Sequence, residues 1–398
     1  MKWASTLSRR PDPAGAFAEA AELLDQQLAG RAPDLLLAFL SPHHAGECER
    51  ISELARRRFP AALLAGCTGG GVIGGAHEAE GEPALSITGA SLPGVVLSGF
   101  RVKMASVVAA GGGAPAWRAL VGQAPEARPK LLLLADPFTM DAGRLIAGLD
   151  LAYPGAPKFG GLASGGQRPG ENRLLLGDGV HRGGAVGIAF SGDLAVDTVI
   201  AQGCRPIGHP MLVTRCHGNL LQELDNRPPL KVLGDLHDSL GERDRELVHH
   251  SLFLALEMRA DQVEFDPEEI LVRNILGADE ETGALTIGAE LRPMAVAQFV
   301  LRDARAAEED LRRALERHRS AAAGTPAGAL LFSCLGRGAR LFGRPDHDSG
   351  LFQETLGPAP LGGFFCNGEI GPVGGATFLH GYTSAFAIFR EARRAPLP

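Results

Sequence analysis

Two charged residues in the second half of the chain have the type and the surroundings needed to grip a small ligand. Arg337 comes after the apolar run 329–334 and stands between two glycines, and Glu369 comes after the apolar run 361–366. The guanidinium fork suits a carboxylate, and a glutamate suits an ammonium group. We therefore predict that Arg337 and Glu369 bind opposite ends of a small polar metabolite. A structural ion pair, including one between these two residues, is the alternative.

Glycine-rich turns in both halves of the chain are the second candidate feature. Turns such as 68–71 and 164–166 let the backbone turn sharply and can aim N–H groups at an anion. We predict that such turns and the neighbouring strand ends line one binding site. The predicted ligand-binding residues are Cys67, Thr68, Gly69, Ser164, Gly165, Cys334, Arg337, Gly338, Cys366, Asn367, Glu369 and Thr383.

The cysteines leave a choice between lining a pocket and doing chemistry. Cys334 and Cys366 lie at predicted strand ends, and a nucleophilic thiol needs a nearby base, for which His347 and His380 are available. We predict thiols that line a pocket, with no catalytic residue, metal or cofactor. A thiol-dependent hydrolase or transferase that uses Cys334 or Cys366 is the enzyme alternative.

One segment matches the sequence motif of a dinucleotide-binding site but lacks the features that must follow it. Gly69-Gly-Gly-Val-Ile-Gly74 matches G-x-G-x-x-G. No apolar-periodic helix follows the third glycine, and no acidic residue stands about 20 positions further on, as dinucleotide binding requires. The residues therefore argue against a dinucleotide site, and no P-loop pattern occurs.

Composition and charge favour a cytoplasmic protein. The net charge of −7 and the absence of an isolated basic patch argue against nucleic acid as a partner. No apolar run approaches about 18 residues, so we predict no membrane insertion. The N-terminus has no apolar signal-peptide core, and six scattered cysteines without a CxxC pair are typical of reduced thiols.

The hydrophobic pattern predicts an α/β (mixed α+β) protein with two domains of mixed sheets packed by helices. The run 130–136 contains four consecutive leucines and indicates a strand buried on both faces. Residues 302–322 have a helical period, and 328–334 and 360–366 are predicted strands. We divide the chain into an N-terminal extension with a helix (1–33), a first domain (34–203) and a second domain (204–398).

A faint repeat indicates a possible internal duplication. Residues 68–74 can be aligned with 365–371, sharing Gly-x-Ile-Gly, and 159–165 can be aligned with 361–367 through a Gly-Gly pair. If the duplication is real, the matching turns are expected to face a shared ligand cleft.

Several strings in this chain resemble the FIST family of paired N- and C-terminal domains. The C-terminal strings are Phe332-Ser-Cys-Leu-Gly-Arg-Gly338, Gly363-Phe-Phe-Cys-Asn-Gly-Glu-Ile-Gly-Pro372 and His380-Gly-Tyr-Thr383. In the first half the resemblance rests on Gly66-Cys-Thr, the Gly-x-Ile-Gly turn and Phe159-Gly-Gly-Leu-Ala. Val72 replaces the acid of the family's usual Gly-Glu-Ile turn, which raises the prospect of a different ligand choice.

The resemblance implies a sensory module for small ligands, with amino acids or related metabolites as suspected ligands and a signalling protein as a possible partner. We expect a standalone protein that binds its ligand without transforming it. A protein-interaction scaffold is the third alternative, since the family also occurs in ubiquitin adaptors.

Overall fold

The fold was analysed in a computed structural model that describes residues 1–258, 270–322 and 324–392. The predicted class is confirmed: mixed sheets are packed with helices. Contacts divide the chain into two compact units. Unit 1 comprises Met1–Ala201, Leu311–Leu379 and the residues from Thr383 onward, and unit 2 comprises Gln202–Asp310 with His380–Tyr382. The domain boundaries at 33/34 and 203/204 stay predictions about sequence domains.

Unit 1 repeats one structural plan three times, and the first copy begins at the N-terminus. Its first strand, which the sequence did not predict, pairs antiparallel with the last strand of the copy. The elements are β1 (Lys2–Ser8), α1 (Pro13–Leu28), β2 (Leu35–Leu40), α2 (Cys48–Arg58), β3 (Leu63–Thr68), the hairpin β4 (Gly71–Gly74) and β5 (His77–Glu80), and β6 (Leu85–Ser91).

The second copy has the same order of elements, except that two short helices stand where the first copy has α1. Its strand β8 holds the four predicted consecutive leucines, all of them buried. The elements are β7 (Val95–Val102), α3 (Met104–Ala110), α4 (Ala114–Val121), β8 (Lys130–Ala135), α5 (Ala142–Ala152), β9 (Lys158–Leu162), the hairpin β10 (Leu174–Leu176) and β11 (Gly179–His181), and β12 (Ala185–Gly192).

The third copy opens with β13 (Leu194–Ala201), and the chain then forms unit 2 before the copy continues. Unit 2 is an antiparallel sheet that closes on itself, because β20 pairs with both β15 and β17. The elements are β14 (Cys204–Pro206), β15 (Met211–His217), β16 (Leu220–Leu224), α6 (Pro229–Ser239), α7 (Glu242–Ser251), β17 (Leu252–Glu257), β18 (Ile270–Ala278), β19 (Leu285–Ile287) and β20 (Val296–Arg302).

After unit 2, the chain returns to the third copy through the long helix that the sequence predicts at 302–322. The elements are α8 (Ala304–Ala321), β21 (Gly328–Cys334), α9 (Gly338–Phe342), α10 (His347–Leu356), β22 (Leu361–Cys366), the hairpin β23 (Glu369–Val373) and β24 (Ala376–His380), and β25 (Ser384–Glu391). None of the helices in the described part of the chain combines the length and the apolarity needed to span a bilayer.

Each copy builds a six-stranded sheet that borrows its edge hairpin from another copy. The strand orders are β1-β6-β2-β3-β10-β11, β7-β12-β8-β9-β23-β24 and β13-β25-β21-β22-β4-β5. The two central strands of every sheet are parallel and almost wholly buried. Because the hairpins are exchanged among the three copies, the turns that lead into them are brought together.

One glycine marks the equivalent position in each parallel strand pair. A Cβ on Gly66, Gly160 or Gly363 would lie 1.8, 1.9 and 1.9 Å, respectively, from the carbonyl oxygen of the register partner on the neighbouring strand. Gly160 and Gly363 also have φ values of 145° and 149°. No side chain fits at these positions, which explains the apolar-glycine pattern read from the sequence.

Candidate functional site

The turns after β3, β9 and β22 meet at one place in unit 1, which we call the strand-end junction. Ser164 is at its centre: the Ser164 hydroxyl accepts a hydrogen bond from Gly70 N at 2.8 Å and donates one to the carbonyl of Phe365. The Ser164 amide also donates to the carbonyl of Thr68 at 3.1 Å. A single serine therefore contacts the corresponding turns of the other two copies.

The third copy contributes two cysteines and a threonine to the junction. Leu335 N donates to the carbonyl of Cys366 at 3.0 Å, and Cys334 N donates to the carbonyl of Thr383 at 3.0 Å. Asn367 N donates to the carbonyl of Leu162 at 3.1 Å, which ties the β22 turn to β9. Backbone bonds thus set the positions of the predicted residues Cys334, Cys366, Asn367 and Thr383.

Exposure divides the predicted site residues into two groups. Asn367 and Gly165 are exposed, and Cys334 is half-buried. The others are buried: Cys67, Thr68, Gly69, Ser164, Arg337, Gly338, Cys366, Glu369 and Thr383. The Thr68 hydroxyl is occupied by Arg173 N at 3.1 Å. The surface of the junction is therefore formed by a small part of the predicted set, with the rest beneath it.

Arg337 makes a bidentate ion pair inside unit 1. Its side chain is fully buried, with Nε 2.7 Å from Asp348 Oδ2 and Nη2 3.0 Å from Asp348 Oδ1. His347 Nδ1 lies 2.8 Å from Asp348 Oδ1, and the His347 ring stacks on Phe342 at 3.3 Å. Burial alone would raise the pKa of Asp348, but the Arg337 charge and these hydrogen bonds hold that pKa below its usual range.

Glu369 is a second ionisable residue that is fully buried, and it lies next to the cysteines. Its Oε2 accepts a hydrogen bond from Thr383 N at 3.3 Å, and Oε1 has no hydrogen-bond partner among the described residues. Burial raises the pKa of Glu369 well above its usual range, although the Thr383 amide and the Arg337 charge oppose the shift. Burial therefore favours the protonated form of this carboxyl.

The buried thiols at the junction are poorly suited to nucleophilic attack. Burial raises the pKa of Cys67 and of Cys366 well above the usual value, and the charge of Glu369 acts on Cys366 in the same direction. Since the thiolate is the nucleophilic form, these environments work against the thiol-dependent enzyme alternative at Cys366.

Sequence reasoning missed the acidic groups that hold the β4–β5 hairpin against the third copy. Glu78 Oε1 accepts Ser349 N at 2.8 Å, Glu80 Oε1 accepts Ala339 N at 2.8 Å, and Asp346 Oδ1 accepts Glu78 N at 2.6 Å. The only sequence signal was the acidic string 78–82 beside a glycine turn, for which neither a helix nor a strand was predicted. Asp348 was missed in the same way.

We expect Glu78→Gln to stabilise the protein progressively as the pH rises from 5 to 9. Burial first, and then the Asp348 charge, raises the pKa of Glu78 to about 8. A carboxyl with a raised folded-state pKa binds more protons when folded, so wild-type stability decreases between the ordinary glutamate pKa and about pH 8. Each unit of pKa shift corresponds to about 1.4 kcal/mol. Urea denaturation of both proteins at several pH values measures the difference.

The matched control for this prediction is Glu49→Gln, which makes the same chemical change at an exposed position of α2. Its effect on stability is expected to stay nearly constant over the same pH range. If Glu78→Gln also had a constant effect, the carboxyl would not be neutral in the folded protein and the explanation would be wrong.

Two family models match this chain and together span most of it. The FIST N domain matches residues 34–227, and the FIST C domain matches residues 230–372. The chain belongs to the FIST family, as its C-terminal strings predicted. FIST domains are sensory modules, which is consistent with binding and signalling as the general function.

The chain is also similar to mycobacterial proteins over nearly all of its length. The chain is 38% identical over 397 residues to an uncharacterized protein of Mycobacterium tuberculosis, covering 96% of this chain and 98% of the relative. It is 38% identical over 381 residues to an uncharacterized protein of Mycobacterium bovis, covering 95% and 96%. A solved cyanuric acid hydrolase from A. caulinodans matches at 10% identity and a TM-score of 0.35, covering 98% of this chain and 100% of that one. That likeness is too weak to carry an inference.

Proposed function

We propose that this FIST protein senses a small polar metabolite, with amino acids as the first candidates, by binding it at the strand-end junction. The proposal adds a ligand class and a place to the general sensory role of the family. A signalling protein that responds to the bound form is the proposed partner, and the proposed location is the cytoplasm.

The observation that carries the proposal is the meeting of three equivalent turns at Ser164. The Ser164 hydroxyl is bonded to the first copy through Gly70 N and to the third copy through the Phe365 carbonyl. Gly70 also leaves room for a side chain of the third copy, since a Cβ on Gly70 would be 2.4 Å from Leu335 Cδ2. A ligand at this point would contact all three copies, so its binding would change how they pack.

Asn367 is the side chain we expect a ligand to meet first. It is exposed, and its backbone amide is fixed by the Leu162 carbonyl. The carboxamide offers both a donor and an acceptor. The half-buried Cys334 is the register partner of Cys366, the residue directly before Asn367. Direct contact with Arg337 or Glu369, which we still propose for the bound state, requires movement of the residues that cover them.

A thermal-shift screen of the common amino acids and their amides tests the proposal. A ligand that binds only the folded state stabilises it by RT ln(1 + [L]/Kd), about 2.7 kcal/mol at one hundred times Kd. We expect at least one compound to raise the melting temperature in a concentration-dependent way. Uniform failure of the amino acids, followed by binding of an apolar compound, would contradict the proposed ligand class.

For any amino acid found in that screen, we expect Asn367→Ala to weaken binding about tenfold. Loss of one net hydrogen bond costs about 1.4 kcal/mol, which corresponds to that factor. Titration calorimetry measures the affinity of wild type and variant. The matched control is Asn219→Ala, an exposed asparagine in unit 2, which should bind like wild type. Equal affinities of all three proteins would place the site elsewhere.

A further inference from the structure

We propose that Cys334 and Cys366 form a peroxide-sensitive thiol pair, which closes into a disulfide between strands β21 and β22. This modification site is independent of the proposed ligand. None of the six cysteines is disulfide-bonded in the structure, so the pair described is the reduced form.

The register of the two strands sets the cysteines directly opposite each other. In the parallel pair β21–β22, Cys334 is the register partner of Cys366. Neighbouring strands lie roughly 4.8 Å apart, and disulfides form at Cα separations of about 4.4 to 6.8 Å. The backbone separation is therefore already suitable for a bond.

Both thiols also lie on the same face of the sheet. Phe332 of β21 and Phe364 and Cys366 of β22 share one hydrophobic cluster, whereas Leu331 and Phe365 belong to the cluster on the opposite face. Since side chains alternate along a strand, Cys334 lies on the face of Phe332 and therefore of Cys366.

The two cysteines differ in accessibility, which assigns their roles. Cys334 is half-buried, whereas Cys366 is fully buried. Gly336 N donates to Cys334 Sγ at 3.5 Å, a contact that favours negative charge on this sulfur. Cys334 is thus the thiol that meets peroxide, and Cys366 is the resolving thiol. Burial raises the pKa of Cys366 and works against its reaction with peroxide, so its role depends on the register that holds it directly opposite the sulfenic acid of Cys334.

The chemistry balances with hydrogen peroxide as the oxidant. The Cys334 sulfur attacks one peroxide oxygen, the O–O bond breaks, an S–O bond forms, and the other oxygen leaves as water. The Cys366 sulfur then attacks the Cys334 sulfur, the S–O bond breaks, and the hydroxyl leaves as water with the Cys366 proton. Two thiols lose two electrons and two protons, and the peroxide becomes two water molecules.

Peptide mapping of the full chain after treatment with hydrogen peroxide tests the pair. Remaining thiols are alkylated, and the protein is digested with trypsin without reduction. Arg337 and Arg340 lie between the two cysteines, so trypsin separates them onto different peptides unless a disulfide joins them. We expect a joined pair of peptides containing Cys334 and Cys366 that disappears after treatment with dithiothreitol.

Cys204 and Cys216 are the internal controls, because they are half-buried like Cys334. We expect the Cys334 thiol to be lost about tenfold faster than theirs, as site-selective oxidation requires. Equal rates at all three cysteines without a joined peptide would overturn the proposal. So would a disulfide of Cys366 with Cys67, its other neighbouring thiol.

Two serine variants test the assigned order. In Cys366→Ser, sulfenic acid should accumulate at Cys334 and be captured by dimedone, whereas in Cys334→Ser the remaining Cys366 should resist peroxide. Dimedone capture at Cys366 in the second variant would contradict the assignment. If either variant fails to fold, the wild-type peptide map alone decides whether the bond forms.

Discussion

Arg337→Gln is expected to lower the free energy of unfolding by about 3–5 kcal/mol, the cost of breaking a buried ion pair on one side. Glutamine cannot neutralise Asp348, whose carboxylate is 1% exposed. The variant would leave that charge buried inside unit 1, where Ser333 donates to one of its oxygens and His347 lies beside the other. Urea denaturation followed by circular dichroism measures the change.

The control for this prediction is Arg9→Gln, which breaks an ion pair with Glu82 on the surface. Those two side chains are 47% and 43% exposed, and exposed pairs contribute about 1 kcal/mol or less. Arg337 was predicted from the sequence to hold a ligand. A stable Arg337→Gln protein that no longer binds an amino acid would support that role and contradict the structural one.

The strands that surround the junction could be predicted because burial on both faces leaves an unmistakable pattern. The consecutive leucines of 131–134 have no polar side to turn toward water, and the structure has β8 there. The apolar runs that end in Cys334 and Cys366 are likewise β21 and β22. Together with the glycine strings, these runs were sufficient to recognise the family.

The exchange of hairpins could not be predicted, because nothing local specifies it. The β4–β5 hairpin follows β3 in the chain, yet it pairs with β22, about 290 residues later. Its anchor, the hydrogen bond from Ser349 N to Glu78, joins two segments for which the sequence predicted neither a helix nor a strand. Arg337 presented the same problem, since its partner Asp348 lies in α10, where glycine and proline nearby concealed the helix.

The sequence indicated the repeat, but as two copies instead of three, and one of its two alignments is displaced. The match of 68–74 with 365–371 agrees with the structure, because Ile73 and Ile370 pair with the equivalent glycines Gly363 and Gly160. The Gly-Gly match of 159–165 with 361–367 is displaced by one residue, since Gly160 corresponds to Gly363. In sequence, adjacent glycines are interchangeable. Only the strand register shows which glycine faces a carbonyl. The same register occurs in three parallel strand pairs, one in each copy.

Gly363→Ala is expected to cost about 3–5 kcal/mol, because a new Cβ would require the two central strands of a sheet to separate. That atom would lie 1.9 Å from the Leu331 carbonyl oxygen, and φ at this position is 149°, a value that side chains rarely adopt. Gly350→Ala is the matched control in the same copy: it lies within α10, its Cβ would meet nothing within 4 Å, and alanine should stabilise that helix by about 0.5–1 kcal/mol. Urea denaturation is therefore expected to show that the same substitution, made at two positions 13 residues apart, lowers the free energy of unfolding at Gly363 and raises it at Gly350. A mild effect at Gly363 would mean that β21 and β22 can separate cheaply, and the close approach that brings Cys334 opposite Cys366 would lose its structural basis.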